Sequence, residues 1–133
     1  MKVLIIGDDR RIIEDISSCL RVRYPDVSII SVPYTETGIE LVEAESPNLV
    51  MVDSSLKDMT SRDIIGKIRK ISEVALIVLS EKQSDIDKAR DLEIGADDYI
   101  DMPINNAELL AKVKALLRQI YGPGFEVERS IIG

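Results

Sequence analysis

The sequence predicts an α/β domain, a doubly wound parallel sheet of five strands alternating with five helices. Three observations carry this. Short apolar runs recur along the chain, too short for helices and ended by a glycine or a polar residue: Val3-Leu4-Ile5-Ile6 before Gly7, Leu49-Val50-Met51-Val52 before Asp53, and Ala75-Leu76-Ile77-Val78-Leu79 before Ser80. Such runs are apolar on both faces, as strands covered on both sides are. Between them lie segments with apolar residues at helical spacing, so strand and helix alternate and right-handed crossovers follow.

Each element has its own grounds. Val3 to Ile6 is the first strand, and Ile12, Ile13, Ile16 and Leu20 then recur as one face of a helix. After the Pro25-Asp26 turn, Val27-Ser28-Ile29-Ile30 reads as a second strand. Thr35 to Ala44 is a weaker helix, since Gly38 lowers its propensity. The strand ending in Asp53 follows, then a polar loop through Thr60 and a helix faced by Ile64, Ile65, Ile68 and Ile71. Ala75 to Leu79 is the fourth strand. The next helix, about Ser84 to Ile94, is polar and weakly amphipathic, with Gly95 placed to cap its end. Asp98-Tyr99-Ile100 is a short fifth strand. In the last helix Asn105 and Glu108 have capping-box spacing, and Leu109, Val113, Leu116 and Ile120 form the stripe expected to be buried. Gly122-Pro123-Gly124 ends it.

Composition narrows the function classes. With 133 residues the chain is one domain, and 45% hydrophobic with 31% charged content is ordinary for a folded soluble protein. A net charge of −7 argues against nucleic acid as a partner of this segment. The absence of histidine removes imidazole bases, imidazole metal ligands and a phosphohistidine role. The single cysteine, Cys19, permits no internal disulfide and suits a reducing compartment. No apolar stretch approaches the length of a membrane span, so a cytoplasmic location is expected.

In an open parallel sheet the ligand crevice lies at the carboxyl ends of the strands. Asp8, Asp9, Asp53 and Ser80 all fall at or just past such ends, although far apart in sequence. Three clustered carboxylates repel one another and need a cation or a raised pKa to coexist. Oxygen ligands in small number suit Mg²⁺, which recruits phosphate oxygens, and a carboxylate beside it can act as a nucleophile on phosphorus. The plain alternative for Asp8 or Asp9 is that it caps the first helix.

These residues give the chain its resemblance to the receiver domains of two-component response regulators, over about residues 2 to 120. The matching features are Asp8-Asp9, Asp53, Ser80, the string Gly95-Ala96-Asp97-Asp98-Tyr99, and Pro103. Each alone is weak; their order and spacing together are specific. The resemblance implies the flavodoxin-like receiver fold. It also implies Asp53 as phosphoacceptor, Asp8, Asp9 and Asp53 as Mg²⁺ ligands, Ser80 as phosphoryl hydrogen-bond donor, and Tyr99 as a rotameric switch. It implies a histidine kinase or phosphotransfer protein as partner, and an acceptor domain, not an enzyme. The Met102-Pro103 bond resembles one that is typically cis in this family.

The departures bear on function. Receivers usually carry a lysine where this chain has Met102, and methionine offers neither charge nor strong hydrogen bonds. Glu81 replaces a small residue after the hydroxyl, while Lys57 and Ser61 replace a usual proline and glycine. Lys57, Lys82, Arg10 or Arg11 are the cations near enough in sequence to compensate; the alternative is that they are solvated. Two function classes follow: a phosphoryl-accepting receiver, or a pseudo-receiver acting as a phosphorylation-independent interaction module. A nucleotide- or flavin-binding enzyme on the same fold is poorly supported, because Gly7-Asp8-Asp9-Arg10 is not a glycine-rich phosphate loop.

Lys88, Glu93, Asp98, Glu108, Lys112 and Lys114 resemble the charge pattern of receivers joined to winged-helix DNA-binding domains, which implies a homodimer through the fourth helix, fifth strand and fifth helix and a role in transcription regulation. The alternative is a set of solvated helix faces. Residues 1–121 are expected to form the receiver domain, and 122–133 a linker or the start of a downstream segment, with Ile131-Ile132 as its apolar run.

Overall fold

The computed structural model describes residues 1–123 and 125. The elements follow the expected order: β1 (Lys2–Ile6), α1 (Arg10–Arg23), β2 (Ser28–Val32), α2 (Thr35–Glu45), β3 (Leu49–Asp53), α3 (Ser61–Arg69), β4 (Ala75–Ser80), α4 (Asp85–Ile94), β5 (Asp98–Asp101) and α5 (Asn106–Tyr121). All neighbouring strands are parallel, in the spatial order β2-β1-β3-β4-β5. From β1 the chain first goes to one side, to β2, and then crosses to the other side, to β3. The crevice outside the carboxyl ends of β1 and β3 is therefore the switch point of the topology.

Alternation within the strands divides the core into two layers. Val3, Ile5, Leu49, Met51, Ile77 and Leu79 face α1 and α5, against Ile16, Leu20, Leu109 and Val113. Leu4, Ile6, Val50, Val52, Leu76 and Val78 face the opposite side, against Val42 of α2 and Ile64, Ile65 and Ile68 of α3. Both faces of β3 and β4 are buried along their whole length, which explains why their sequences carry no polar alternation. Gly38, the weak point of α2 by propensity, is buried against the sheet. A Cβ there would lie 2.6 Å from Ile6 Cδ1, so glycine is what lets α2 approach β1.

Several boundaries differ from the expected ones. β2 runs on to Val32, because ladder bonds to β1 continue past the polar Ser31. Ile71 lies beyond the end of α3 and is exposed, since the isoleucine spacing continues after the helix stops at Arg69. Ile120 is also exposed; Leu117 takes the buried place beside Leu116 instead. Asn105 Oδ1 accepts from the Glu108 N–H at 3.0 Å, giving the N-cap expected of the capping spacing. The Met102-Pro103 peptide is cis, as expected. Ile131-Ile132 lies outside the described residues. No described helix is long and apolar enough to cross a membrane.

Candidate functional site

The register of the sheet brings the site together. Val52 stands opposite Ile6 on one side and Val78 on the other, and Asp53 pairs with Leu79. Gly7, Asp53 and Leu79 thus share a row at the carboxyl edge, with Asp8, Ser54 and Ser80 one step beyond. Asp53 is 2% exposed. Its Oδ1 accepts two hydrogen bonds from one residue, the Ser55 N–H at 2.8 Å and the Ser55 hydroxyl at 2.7 Å. Among the described residues nothing donates to Oδ2. A Cβ on Gly7 would sit 3.2 Å from Asp53 Cβ and 3.6 Å from Oδ2, so the absence of a side chain keeps that flank open.

Ser80, also 2% exposed, ends β4 with its Oγ buried and, among the described residues, without a hydrogen-bond partner. An unpaired buried hydroxyl costs on the order of 1–3 kcal/mol, so an atom left in that state marks a site adapted to something that arrives later. The loop after Ser80 is tied to β3, because the Glu81 N–H donates to Ser54 Oγ at 3.0 Å. Lys82 follows in the left-handed region at φ 57°.

Asp8 is exposed, and Asp9 is the N-cap of α1, its Oδ1 accepting from the Arg11 N–H at 3.0 Å and the Ile12 N–H at 3.4 Å. Asp9 therefore caps α1 through Oδ1. Among the described residues no three acidic or thiol groups come together as a ready metal cluster. The donor chemistry still suits a hard divalent ion: the Asp53 and Asp8 carboxylates supply oxygen donors, and among the described residues that of Asp8 has no hydrogen-bond partner.

Among the described residues no cation replaces the missing lysine. Met102 is partly buried and packs against the core layer of α1 and α5. Among the described residues, Arg10, Arg11, Lys57 and Lys82 are exposed and make no ion pair, as the solvated alternative has it. The Glu81 side chain adds further negative charge to the same edge.

Sequence reading did not find the polar cluster behind this edge. Asp91 of α4, 3% exposed, accepts from Ser61 Oγ at 2.8 Å and from Gln83 Nε2 at 2.9 Å, while Gln83 Oε1 is buried without a partner. These three residues border a cleft of about 320 Å³ together with Ser54, Thr60 and Glu81. Arg69 was also missed. Its guanidinium bonds the carbonyls of Gly95 at 2.9 Å and Val74 at 2.6 Å and pairs with Asp97 at 3.2 Å, and Asp97 in turn accepts from the Leu76 N–H. The Gly95-Ala96-Asp97 string is thus held by α3 for a structural reason.

Tyr99 is partly exposed, with the ammonium groups of Lys88 and Lys112 at 4.8 and 4.9 Å from its ring centre. Lys88 pairs with Asp101 at 2.7 Å, and that hydrogen-bonded carboxylate raises the ammonium above its ordinary range, outweighing the opposite effect of desolvation. Lys112 bonds the Tyr99 carbonyl at 2.6 Å and lies 3.5 Å from Asp98 and 3.6 Å from Glu108. Lys88, Asp98, Glu108 and Lys112, all read as part of a dimer face, therefore meet partners inside the chain. Glu93 and Lys114 are exposed.

Comparison with known proteins agrees with this geometry. Residues 3–114 match the family model described as the response regulator receiver domain. The chain is 33% identical over 124 residues to the "Transcriptional regulatory protein CpxR homolog" of Haemophilus influenzae, covering 92% of this chain but only 52% of that protein. Among solved structures, a two-component response regulator from Clostridium difficile superposes with a TM-score of 0.83 at 27% identity, covering 90% of this chain and 98% of that one. The BeF3-activated N-terminal receiver domain of Klebsiella pneumoniae RstA gives 0.81 at 27% identity, covering 90% and 100%. With its fold, its buried strand-end aspartate and its unpartnered strand-end hydroxyl in place, this chain belongs to the response regulator receiver domain family.

Proposed function

We propose that Asp53 accepts a phosphoryl group from a histidine kinase or phosphotransfer protein, and that the change is relayed through Ser80 and Tyr99. The carrying observation is the buried Ser80 Oγ with no partner, at the end of the strand next to the one that ends in Asp53. In the transfer, Asp53 Oδ2 forms a bond to phosphorus while the phosphorus–nitrogen bond of the donor breaks, and the leaving imidazole takes a proton from solvent. The Ser80 hydroxyl then has an acceptor in the new phosphoryl oxygens. Asp8, Asp9 and Asp53 would hold Mg²⁺, which when bound offsets charge on the phosphoryl oxygens. In this reading the domain is an acceptor and not an enzyme.

The relative in Haemophilus influenzae is named a transcriptional regulatory protein, and this chain spans about half of it. That supports reading the chain as the cytoplasmic receiver part of a transcription regulator, with dimerisation through Lys88, Glu93, Asp98, Glu108, Lys112 and Lys114. Partner carboxylates would then compete with Asp98, Asp101 and Glu108 for the two paired lysines. A second reading, the phosphorylation-independent module, draws on Met102, which packs as an apolar side chain where receivers place a cation.

Incubation with phosphoramidate and Mg²⁺, followed by fragment mass spectrometry, tests the main reading. One phosphoryl adduct on Asp53, absent from Asp53→Asn, is the expected result; labelling elsewhere would overturn it. Light scattering on the same samples reads association, and a monomer both before and after labelling removes the dimer.

A further inference from the structure

We infer that Ser55 is a positioning residue for Asp53: its hydroxyl and amide together hold Oδ1 and leave Oδ2 as the oxygen that attacks phosphorus. This rests on the phosphoacceptor reading of Asp53 and says how that site works without its usual cation. An aspartate carboxylate has a broad, roughly two-fold torsion, so its oxygens are interchangeable unless something distinguishes them. Here both donors come from one residue and go to one oxygen, at 2.8 and 2.7 Å. The hydroxyl bond is short, near the range of about 2.5–2.7 Å typical of hydroxyl-to-carboxylate bonds. Among the described residues nothing else reaches either oxygen, and the open side at Gly7 is the side of Oδ2.

The geometry also explains why a neutral group suffices. Holding an oxygen in place needs directed donors, whereas charge compensation needs a cation, and this site has only the first. Among the described residues, neither Met102 nor any of the four exposed cations hydrogen-bonds or ion-pairs with Asp53. The serine is itself exposed, so changing it leaves the core intact. A serine two residues after the acceptor aspartate thereby fixes which oxygen faces the donor, and reacting groups misplaced by about 1 Å lose up to roughly a hundredfold in rate.

The test uses Ser55→Ala, which removes the hydroxyl and keeps the amide, and Ser55→Thr, which keeps both. Two readouts are taken: the rate of Asp53 labelling by phosphoramidate with Mg²⁺, and the carboxyl carbon resonance of Asp53 in the unlabelled protein. Ser55→Ala is expected to label about tenfold more slowly, consistent with partial loss of alignment, and to move the resonance. Ser55→Thr is expected to stay within about twofold of wild type and leave the resonance near its place. An unmoved resonance in Ser55→Ala overturns the assignment whatever the rate, and so does an unchanged rate. If the wild type takes no phosphoryl group while the resonance still moves in Ser55→Ala, the acceptor reading fails and the positioning role falls with it. The hydrogen bond alone then stands.

Discussion

Ser80 is the residue at which structure and function meet most directly. Its hydroxyl is buried and, among the described residues, has no hydrogen-bond partner, a state that costs stability. Ser80→Ala is therefore expected to leave stability unchanged or raise it by up to about 1 kcal/mol, read from the urea midpoint, because it deletes an unpaired polar atom. The same variant should lose the spectral response of Tyr99 to labelling. A loss of stability of more than about 1 kcal/mol would show that the hydroxyl already has a partner in the resting state. Asp53 and Ser80 were legible in the sequence because each ends an apolar run abruptly. Ser55 was not, since a serine after an aspartate matches no pattern until the turn folds its two donors onto Oδ1. Asp9 was legible only as a choice between ligand and cap, and the first turn of α1 shows the cap in place.

At the scale of elements, hydrophobic spacing located the strands and most helices but overran the end of α3 and the buried stretch of α5. Ile71 and Ile120 continue the right periodicity past the point where packing continues, so both are exposed. α4 was the least legible helix, and the structure gives the reason. Its one fully buried side chain is the carboxylate of Asp91, while Ile86 is 65% exposed. The helix is anchored by polar bonds from Ser61 and Gln83, which hydropathy cannot reveal. Asp91→Ala is expected to cost about 1–3 kcal/mol in urea unfolding, because the donors of Ser61 and Gln83 lose their acceptor. Amide exchange should rise in α4 before α3, which has an isoleucine face in the core. Equal exchange in both helices, with wild-type stability, would contradict this anchoring.

For the whole molecule, strand–helix alternation predicted the doubly wound sheet, and the order β2-β1-β3-β4-β5 puts the switch point where the acidic residues gather. Long-range pairing was less legible. Lys88 and Lys112 read as charges awaiting a partner chain, yet they clasp Tyr99 and bond to Asp101, Asp98 and Glu108. Surface pairs of this kind are individually worth about 0–1 kcal/mol, so a second chain can exchange them at little cost. On the proposed reading, the edge of this sheet accepts a phosphoryl group on Asp53 despite Met102 and Glu81. The most direct measurement is intact mass during prolonged incubation with phosphoramidate and Mg²⁺, run on the wild type, on Asp53→Asn, and on Met102→Lys combined with Glu81→Ala. A single adduct accumulating slowly on the wild type, faster on the double variant and never on Asp53→Asn is the result expected here. An adduct on the double variant with none on the wild type would contradict it and make the domain a phosphorylation-independent module.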